Sequence, residues 1–419
     1  MGSGRIETGT RRSSVNARSS APAPVEPGPA QRARRPAHIL VTPKVRAGTR
    51  VCHLTSVHPA YDTRIFEKEC LSLVKAGYDV HLVAPAAQST RHRGVSIAAV
   101  PPARGRLRRV TVTTTRVLWR ALQLRAAVYH FHDPELIPVG LLLRALGKHV
   151  IYDVHEDVPA DILDKHYLAR GVRVALSRIV DIGERAAARF FTRILAATPA
   201  IARRFPPSRC ALVQNFPAWA EIATPTGTAY STRPGLPVVT YVGLLQEIRG
   251  IAEMVRAIET LAARTQVRFV LAGRFDTSSL ETRMRAAPGW QYVDYRGVIP
   301  RAMVPQVLAE ARVGLVLFHP TPNHIESQPN KLFDYMAAGL PVVASRFPLW
   351  CDIVEGSRCG LLVDPLDPMA IAAAIDWLLT HPAEAEAMGA RGREAVRERF
   401  NWPREEAMLL DCYARLCGS

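Results

Sequence analysis

The stretch from Val313 to Ser345, VGLVLFHPTPNHIESQPNKLFDYMAAGLPVVAS, constrains the fold of this chain more than any other. It opens on a short apolar run, Val313 to Phe318, and closes on a second, Leu340 to Ser345. Runs of this length, bounded by Pro, Asn and Gly, read as buried strands. Between them the pattern predicts a helix. Pro329 suits its first position, because the missing N–H would find no intrahelical partner there, and Gly339 stands where a left-handed C-terminal residue is wanted. Leu332, Phe333 and Met336 share the face to be buried. Strand, helix, strand is a βαβ unit of a parallel sheet. A helix starting at the carboxyl end of a strand turns orphan N–H groups and the positive end of its dipole toward an anion such as a phosphate.

Two acids accompany this anion-ready terminus, Glu326 before the helix and Asp334 within it. Most loop and helix acids are simply solvated. A carboxylate beside an anion site is costly unless it has other work, and accepting hydrogen bonds from sugar hydroxyls is such work. Lys331 offsets part of the charge. The segment ESQPNKLFDYMAAGLPVVAS resembles the nucleotide-sugar signature of retaining family-four glycosyltransferases of the GT-B fold, in which an acid, seven residues and a second acid precede M-A-A-G-x-P-V-V-A-S. The resemblance implies that Glu326 holds the hydroxyls of the transferred sugar and Asp334 the ribose of the nucleotide, with Gln328, Asn330 and Lys331 beside the donor. The family usually carries Glu where this chain has the shorter Asp334.

The chain is long enough, at 419 residues, for two domains, and its 48% apolar content suffices for two cores. No apolar run is long enough to span a bilayer. Seven cysteines without a CxxC pair indicate neither a disulfide framework nor a zinc site, and the expected compartment is reducing cytosol. The net charge of +17 is concentrated in two stretches. Residues 1 to 50 carry ten Lys/Arg against Glu7 and Glu26, and residues 91 to 125 carry nine arginines and no acid; together these account for the whole excess. Residues 1–47, rich in Arg, Ser, Pro and Ala, are expected to be a disordered basic tail, with an organellar transit peptide the lesser alternative. In the second stretch Arg104, Arg106, Arg108, Arg109, Arg116, Arg120 and Arg125 are interleaved with Val110, Val117, Trp119 and Leu122. That composition suits an anionic membrane surface or a lipid phosphate; a solvated helix face or a nucleic-acid footprint are the other readings.

Residues 48–217 are expected to form a first Rossmann-like domain. A strand at Arg50 to Thr55, a loop through Pro59, a helix ended by Gly77 and a strand at Val80 to Ala84 open it, with no glycine fingerprint for a dinucleotide. The loop H-P-x-x-D-T-R-I-F-x-K-E is similar to the acceptor-facing loop of a family-four subgroup, which implies that Arg64 and Lys68 meet an acceptor phosphate. Two later strands end in histidines, His132 in H-D-P and His155 in D-V-H-E-D, where an open sheet places its site. Any single histidine is more often a hydrogen-bonded core residue. The family commonly has H-x-P or H-E-P and a second cleft histidine at these places, so both are candidates for orienting substrate.

Residues 218–236 have linker chemistry, residues 237–385 form the expected nucleotide-sugar domain, and residues 386–419 resemble the closing helices that cross back to the first domain. Gly243 to Gly250, GLLQEIRG, is a glycine turn whose amides can approach a diphosphate, with Arg249 as a fixed charge; the family's first cation is here Leu244. Gly273 and Arg274 follow the next strand, and Val298 and Ile299 lie in a turn resembling the family's base-contacting one. Taken together these features predict an α/β GT-B enzyme, two Rossmann-like domains facing a central cleft. It would move a sugar from a nucleoside diphosphate sugar to a hydroxyl on a lipid-linked acceptor or growing glycan, with retention, at the inner face of a membrane. No DxD motif is present, so no metal and no cofactor are expected at the diphosphate. A sugar-nucleotide epimerase on the same fold and a non-enzymatic nucleic-acid-binding protein are the rival classes; nucleic acid is not the expected partner.

Overall fold

The computed structural model describes residues 1–2, 48–102, 105, 108–165, 167–218 and 235–418. The basic tail, most of the linker, Arg104 and Arg106 lie outside the described residues.

From Gly48 to Gly418 the described residues form one compact unit built on two sheets. The first holds β1 (Arg50–Leu54), β2 (Asp79–Pro85), β3 (Thr90–His92), β4 (Val95–Val100), β5 (Val128–Phe131), β6 (His149–Val154), β7 (Arg193–Ala196) and β8 (Cys210–Leu212), in the order β3-β4-β2-β1-β5-β6-β7-β8. Its pairs are parallel except β3 with β4. The second sheet is wholly parallel. It holds β9 (Val238–Val242), β10 (Arg268–Ala272), β11 (Val293–Gly297), β12 (Val313–Val316), β13 (Val342–Ser345) and β14 (Gly360–Val363), in the order β11-β10-β9-β12-β13-β14. Both sheets reverse their winding once, between β1 and β5 and between β9 and β12. A crevice opens at the carboxyl ends of strands at such a switch point, and that is where open α/β sheets bind ligands. The architecture is GT-B, two Rossmann-like halves.

Parallel strands are covered on both faces, so they read as continuous apolar runs, and β12, β13 and β5 are buried at every residue. The helix between β12 and β13 spans Asn330–Ala337, with Pro329 as its N-cap one residue outside it and Gly339 at φ +71° beyond its end. The helix Pro382–Glu398 stays with the second core through Ala385, Ala395 and Val396. Only Trp402–Cys417 packs on the first sheet, where Leu409, Cys412 and Tyr413 join its core and Trp402 donates its ring N–H to Ser72 Oγ at 3.0 Å. The crossing therefore starts later than the expected residue 386. Where the chain passes between the halves, Phe216, Phe333 and Phe400 form an aromatic triad with centroids 4.8–5.3 Å apart. Each such pair adds about 0.5–1.5 kcal/mol beyond area burial, which fastens the linker end to the signature helix. No helix among the described residues is long and apolar enough to cross a membrane.

Candidate active site

After β9 the chain turns at Gly243 with φ +143°, and after β10 at Gly273 with φ +147°. A Cβ on Gly243 would stand 2.8 Å from Lys331 Nζ, and one on Gly273 would stand 1.7 Å from the Gly243 carbonyl oxygen, so both positions exclude a side chain. Lys331, in the first turn of the signature helix, is buried with its Nζ 3.6 Å from the centroid of the Tyr241 ring and without a hydrogen-bond partner. Burial, and then the neighbouring Arg249 charge, hold its ammonium well below the usual lysine range. Arg249 lies over the Phe318 ring at 5.3 Å, and its Nε is buried and unpartnered. Two cations thus border one cavity of 590 Å³ at the second switch point, alongside Gly243, Asp334, Arg301 and, from the first domain, His155. Buried like charges without a counter-charge are costly, and an anion relieves the cost.

The two acids of this segment are already partnered. Asp334 is buried and takes a bidentate pair from Arg301, at 2.7 and 3.1 Å. Glu326 is half exposed and accepts from Arg203 Nη2 at 2.9 Å, across the cleft from the first domain. Gln328 accepts from Gln214 Nε2 at 2.8 Å, a second link between the halves, and Asn330 lines both large cavities. Arg274 and Val298 are exposed and Ile299 is half-buried; none of the three borders either cavity.

The adjoining cavity, of 550 Å³, has His58, Asp62, His155 and Asn215 on its first-domain side and Glu326 and Asn323 on the other. His155 Nε2 stands 3.0 Å from His58 Nε2 and His155 Nδ1 3.4 Å from Asp153. Burial pulls the His58 pKa down, but Asp62, then Asp133 and Glu156, outweigh it, and the result lies above the usual histidine value. His132 is different: its ring is fully buried, with Nδ1 3.0 Å from Asp153 Oδ2 and Nε2 3.0 Å from His53 Nδ1. Burial pulls it down to about 3. It borders neither cavity, so the expectation that it meets substrate is corrected: it supports the Asp153 that supports His155.

Arg64 is likewise corrected. Its guanidinium is buried, gives two hydrogen bonds to Asp153 at 2.7 and 2.9 Å, and lies 3.1 Å from Glu69. Its charge is committed to these two carboxylates rather than to an acceptor phosphate, although the residue borders the 550 Å³ cavity and its Nη1 has no hydrogen-bond partner. Lys68 is also buried, donating to the Asn215 side chain at 2.6 Å and its carbonyl at 3.2 Å, where it holds the strand-end loop rather than a ligand. Asp133, for which the sequence offered no role, accepts from Thr55 Oγ1 at 2.8 Å and from the Ser56 N–H at 2.6 Å. It shapes the loop that carries His58.

Two family models match the chain, Glycosyl transferase 4-like domain over residues 64–215 and Glycosyl transferases group 1 over residues 236–381. The chain belongs to the group 1 glycosyltransferases. Curated relatives include the D-inositol 3-phosphate glycosyltransferase of Acidothermus cellulolyticus, 33% identical over 43% of this chain and 42% of that one. The alpha-maltose-1-phosphate synthase of Mycolicibacterium smegmatis is 28% identical over 43% of this chain and 48% of its own length. The chain spans less than half the length of these relatives. Among solved structures, sucrose-phosphate synthase from Thermosynechococcus elongatus superposes with a TM-score of 0.72 at 20% identity, covering 88% of this chain and 99% of that one. Anabaena HepE in complex with UDP-glucose gives 0.67 at 13% identity over 87% and 99%. These likenesses show a shared fold.

Within this glycosyltransferase three cleft residues escaped sequence reading. His58 lies in the quoted H-P-x-x-D-T-R loop and carried its own signal. Arg301 directly follows the Tyr295–Pro300 turn, but nothing in its spacing ties it to Asp334. Arg203 lies 123 residues before Glu326, and only the folded chain brings the two together.

Proposed function

We propose that this glycosyltransferase moves a sugar from a nucleoside diphosphate sugar to a hydroxyl acceptor with retention, without a metal at the diphosphate. The observation carrying this reading is the unneutralised Lys331 and Arg249 against the Gly243 turn. A diphosphate supplies the anion this pair lacks and accepts from the amides of the turn and helix terminus, which stabilise it as it departs. The C1–O bond to the diphosphate breaks while the acceptor oxygen bonds C1 on the same face, and the acceptor proton passes to the leaving phosphate. No protein nucleophile is needed. Glu326, released from Arg203, accepts from the sugar hydroxyls, Asp334 from the ribose, and His155 with His58 orients the reacting groups.

The acceptor we favour is lipid-linked. On one face of the first sheet, the helices Thr114–Leu124, Ile137–Ala145 and Arg170–Ala188 expose Trp119, Leu122, Leu142, Ile179 and Ile182 among arginines, with Leu146 just past the end of the second. Apolar tips with basic flanks suit an anionic bilayer surface, each cation contributing on the order of 1 kcal/mol before screening. Arg109 is a weak contributor, because it is bidentate to Glu135.

Glu326→Ala tests the donor reading. With a panel of nucleoside diphosphate sugars, kcat/KM for the accepted donor should fall roughly 10²-fold or more with the fold intact. Unchanged transfer would remove Glu326 from the site, and epimer formation without acceptor would favour the epimerase. For the surface, Trp119→Ser with Arg116→Gln and Arg120→Gln should weaken sedimentation with anionic liposomes while donor binding holds; a wild type that ignores liposomes argues for an acceptor free of lipid.

A further inference from the structure

We propose that His53, His130, His132 and Glu69 form a closed site for one divalent transition-metal ion, zinc above all, in the core of the first domain. The four side chains are buried, and their ligand atoms lie within 4.8 Å of one another. The parallel register sets His53 on β1 opposite His130 on β5, His132 follows two residues later, and the helical turn after Asp62 brings Glu69 over the three rings.

The proton count carries the inference. Asp153 is acceptor-only, so His132 donates from Nδ1 and its Nε2 is a bare lone pair. That nitrogen accepts from His53 Nδ1 at 3.0 Å, leaving His53 Nε2 to accept from the Tyr413 hydroxyl at 3.1 Å. The Tyr413 oxygen takes the His130 Nδ1–H at 2.9 Å, and His130 Nε2 is left bare. That nitrogen and both oxygens of Glu69 are buried without a hydrogen bond of good geometry, although Glu69 also lies against Arg64 and Asp153. Glu69 Oε2 stands 3.8 Å from His53 Nδ1 and 3.9 Å from both His130 Nε2 and His132 Nε2. Those gaps are too long for a shared proton to bridge as a hydrogen bond. They suit atoms bound to one ion, since tetrahedral ligands at zinc distances lie roughly 3.3 Å apart.

The surroundings fit a metal as well. Once the His53 proton moves from Nδ1 to Nε2, all three rings turn a lone pair inward and an N–H outward. His132 then donates to Asp153, and His130 and His53 to the two lone pairs of the Tyr413 oxygen, the outer-shell pattern that fixes ligating histidines; the Tyr413 O–H gives up its bond to His53 in this exchange, a cost the metal bonds must offset. Arg64 lies 3.1 Å from Glu69 Oε1, which leaves Oε2 for the ion. Three nitrogens and one carboxylate in a sealed pocket complete a four-coordinate structural set, with no open position for chemistry. Because Tyr413 belongs to the crossing helix, the ion would also fasten that helix to the first sheet.

The test uses the full chain, purified without a histidine tag. Elemental analysis should find about one zinc or similar ion per chain, and stripping with dipicolinate should lower Tm by roughly 5 °C or more, with recovery on adding Zn²⁺ or Co²⁺. Cobalt should bring the visible absorption of a tetrahedral site. Glu69→Gln separates an ion from a buried water or a protonated carboxyl: it should lose metal and the Zn²⁺-dependent rise in Tm, whereas either alternative predicts a stable, metal-indifferent variant. Metal-free wild type whose Tm ignores Zn²⁺, Co²⁺ and Mn²⁺ would overturn the proposal, whether or not the variants fold.

Discussion

The two switch points share one winding and have opposite fillings. In the first domain the crevice between β1 and β5 is closed by the protein's own side chains: Arg64 is spent on Asp153 and Glu69, and His132 and His53 are sealed behind them. In the second, between β9 and β12, the chain leaves two glycine turns and two cations with no carboxylate on either. A cation paired with buried carboxylates holds the fold; a cation with no carboxylate on it is placed to meet an anionic ligand. A shared winding therefore does not distinguish the two halves, and the state of the buried charges does.

The largest effect that tests this contrast is on the closed side. Arg64→Met removes one partner of a buried ion pair and strands Asp153 and Glu69, so stability should fall by about 3–5 kcal/mol in urea unfolding. A loss below about 1 kcal/mol would mean the network is not what closes the first crevice. The mirror experiment is Lys331→Ala. Deleting an unpaired buried cation should leave the free enzyme's Tm unchanged or higher, while kcat/KM falls roughly 10²–10³-fold. If Lys331→Ala unfolds the protein as Arg64→Met does, both cations are structural and the contrast fails.

The asymmetry was only half legible in the sequence. The second domain announced itself because Val313–Phe318 and Leu340–Ser345 are contiguous apolar runs and the acids, the lysine and the helix terminus all lie within one short segment. The site of the first domain is assembled from β1, the following helix, β5, β6 and the crossing helix, with contacts such as His53 to Tyr413 spanning 360 positions. Parallel register makes those contacts, and no local spacing encodes them. Arg64 looked available because its charge is visible in sequence while its partner Asp153, 89 residues on, is not. The strand Val95–Val100 lies in an arginine-rich stretch whose charge masks its short apolar run.

A smaller effect belongs to the open side. Asp334 is paired with Arg301, whose side chain is 47% exposed, so this pair sits at the rim and can exchange partners, unlike the sealed pairs of the first domain. Asp334→Asn should raise KM for the donor by about tenfold and leave kcat nearly unchanged, because a ribose contact is the same in ground and transition states. A fall in kcat at constant KM would place Asp334 at the reacting centre and remove it from the ribose.

The smallest effect concerns His58, where the closed network of the first domain meets the cleft. Its ring lies 3.4 Å from Asp133 and 3.7 Å from Asp62, and these carboxylates outweigh burial to raise its pKa above the usual value. A histidine whose folded pKa exceeds its unfolded one adds stability that is fully present below about pH 6.5 and is lost as pH rises through the folded value. Between pH 6 and 8, therefore, Tm of wild type should fall relative to His58→Gln by about 1–2 °C. The pH-dependent part of the difference should vanish well above neutrality, where His58 is uncharged in the folded and the unfolded chain alike. The buried His132, His53 and His130 are all held below the usual range and stay neutral throughout this window, so they contribute no slope of the same sign. If the difference grows with pH instead, His58 is neutral in the folded protein, and the boundary between closed network and open cleft lies on the other side of it.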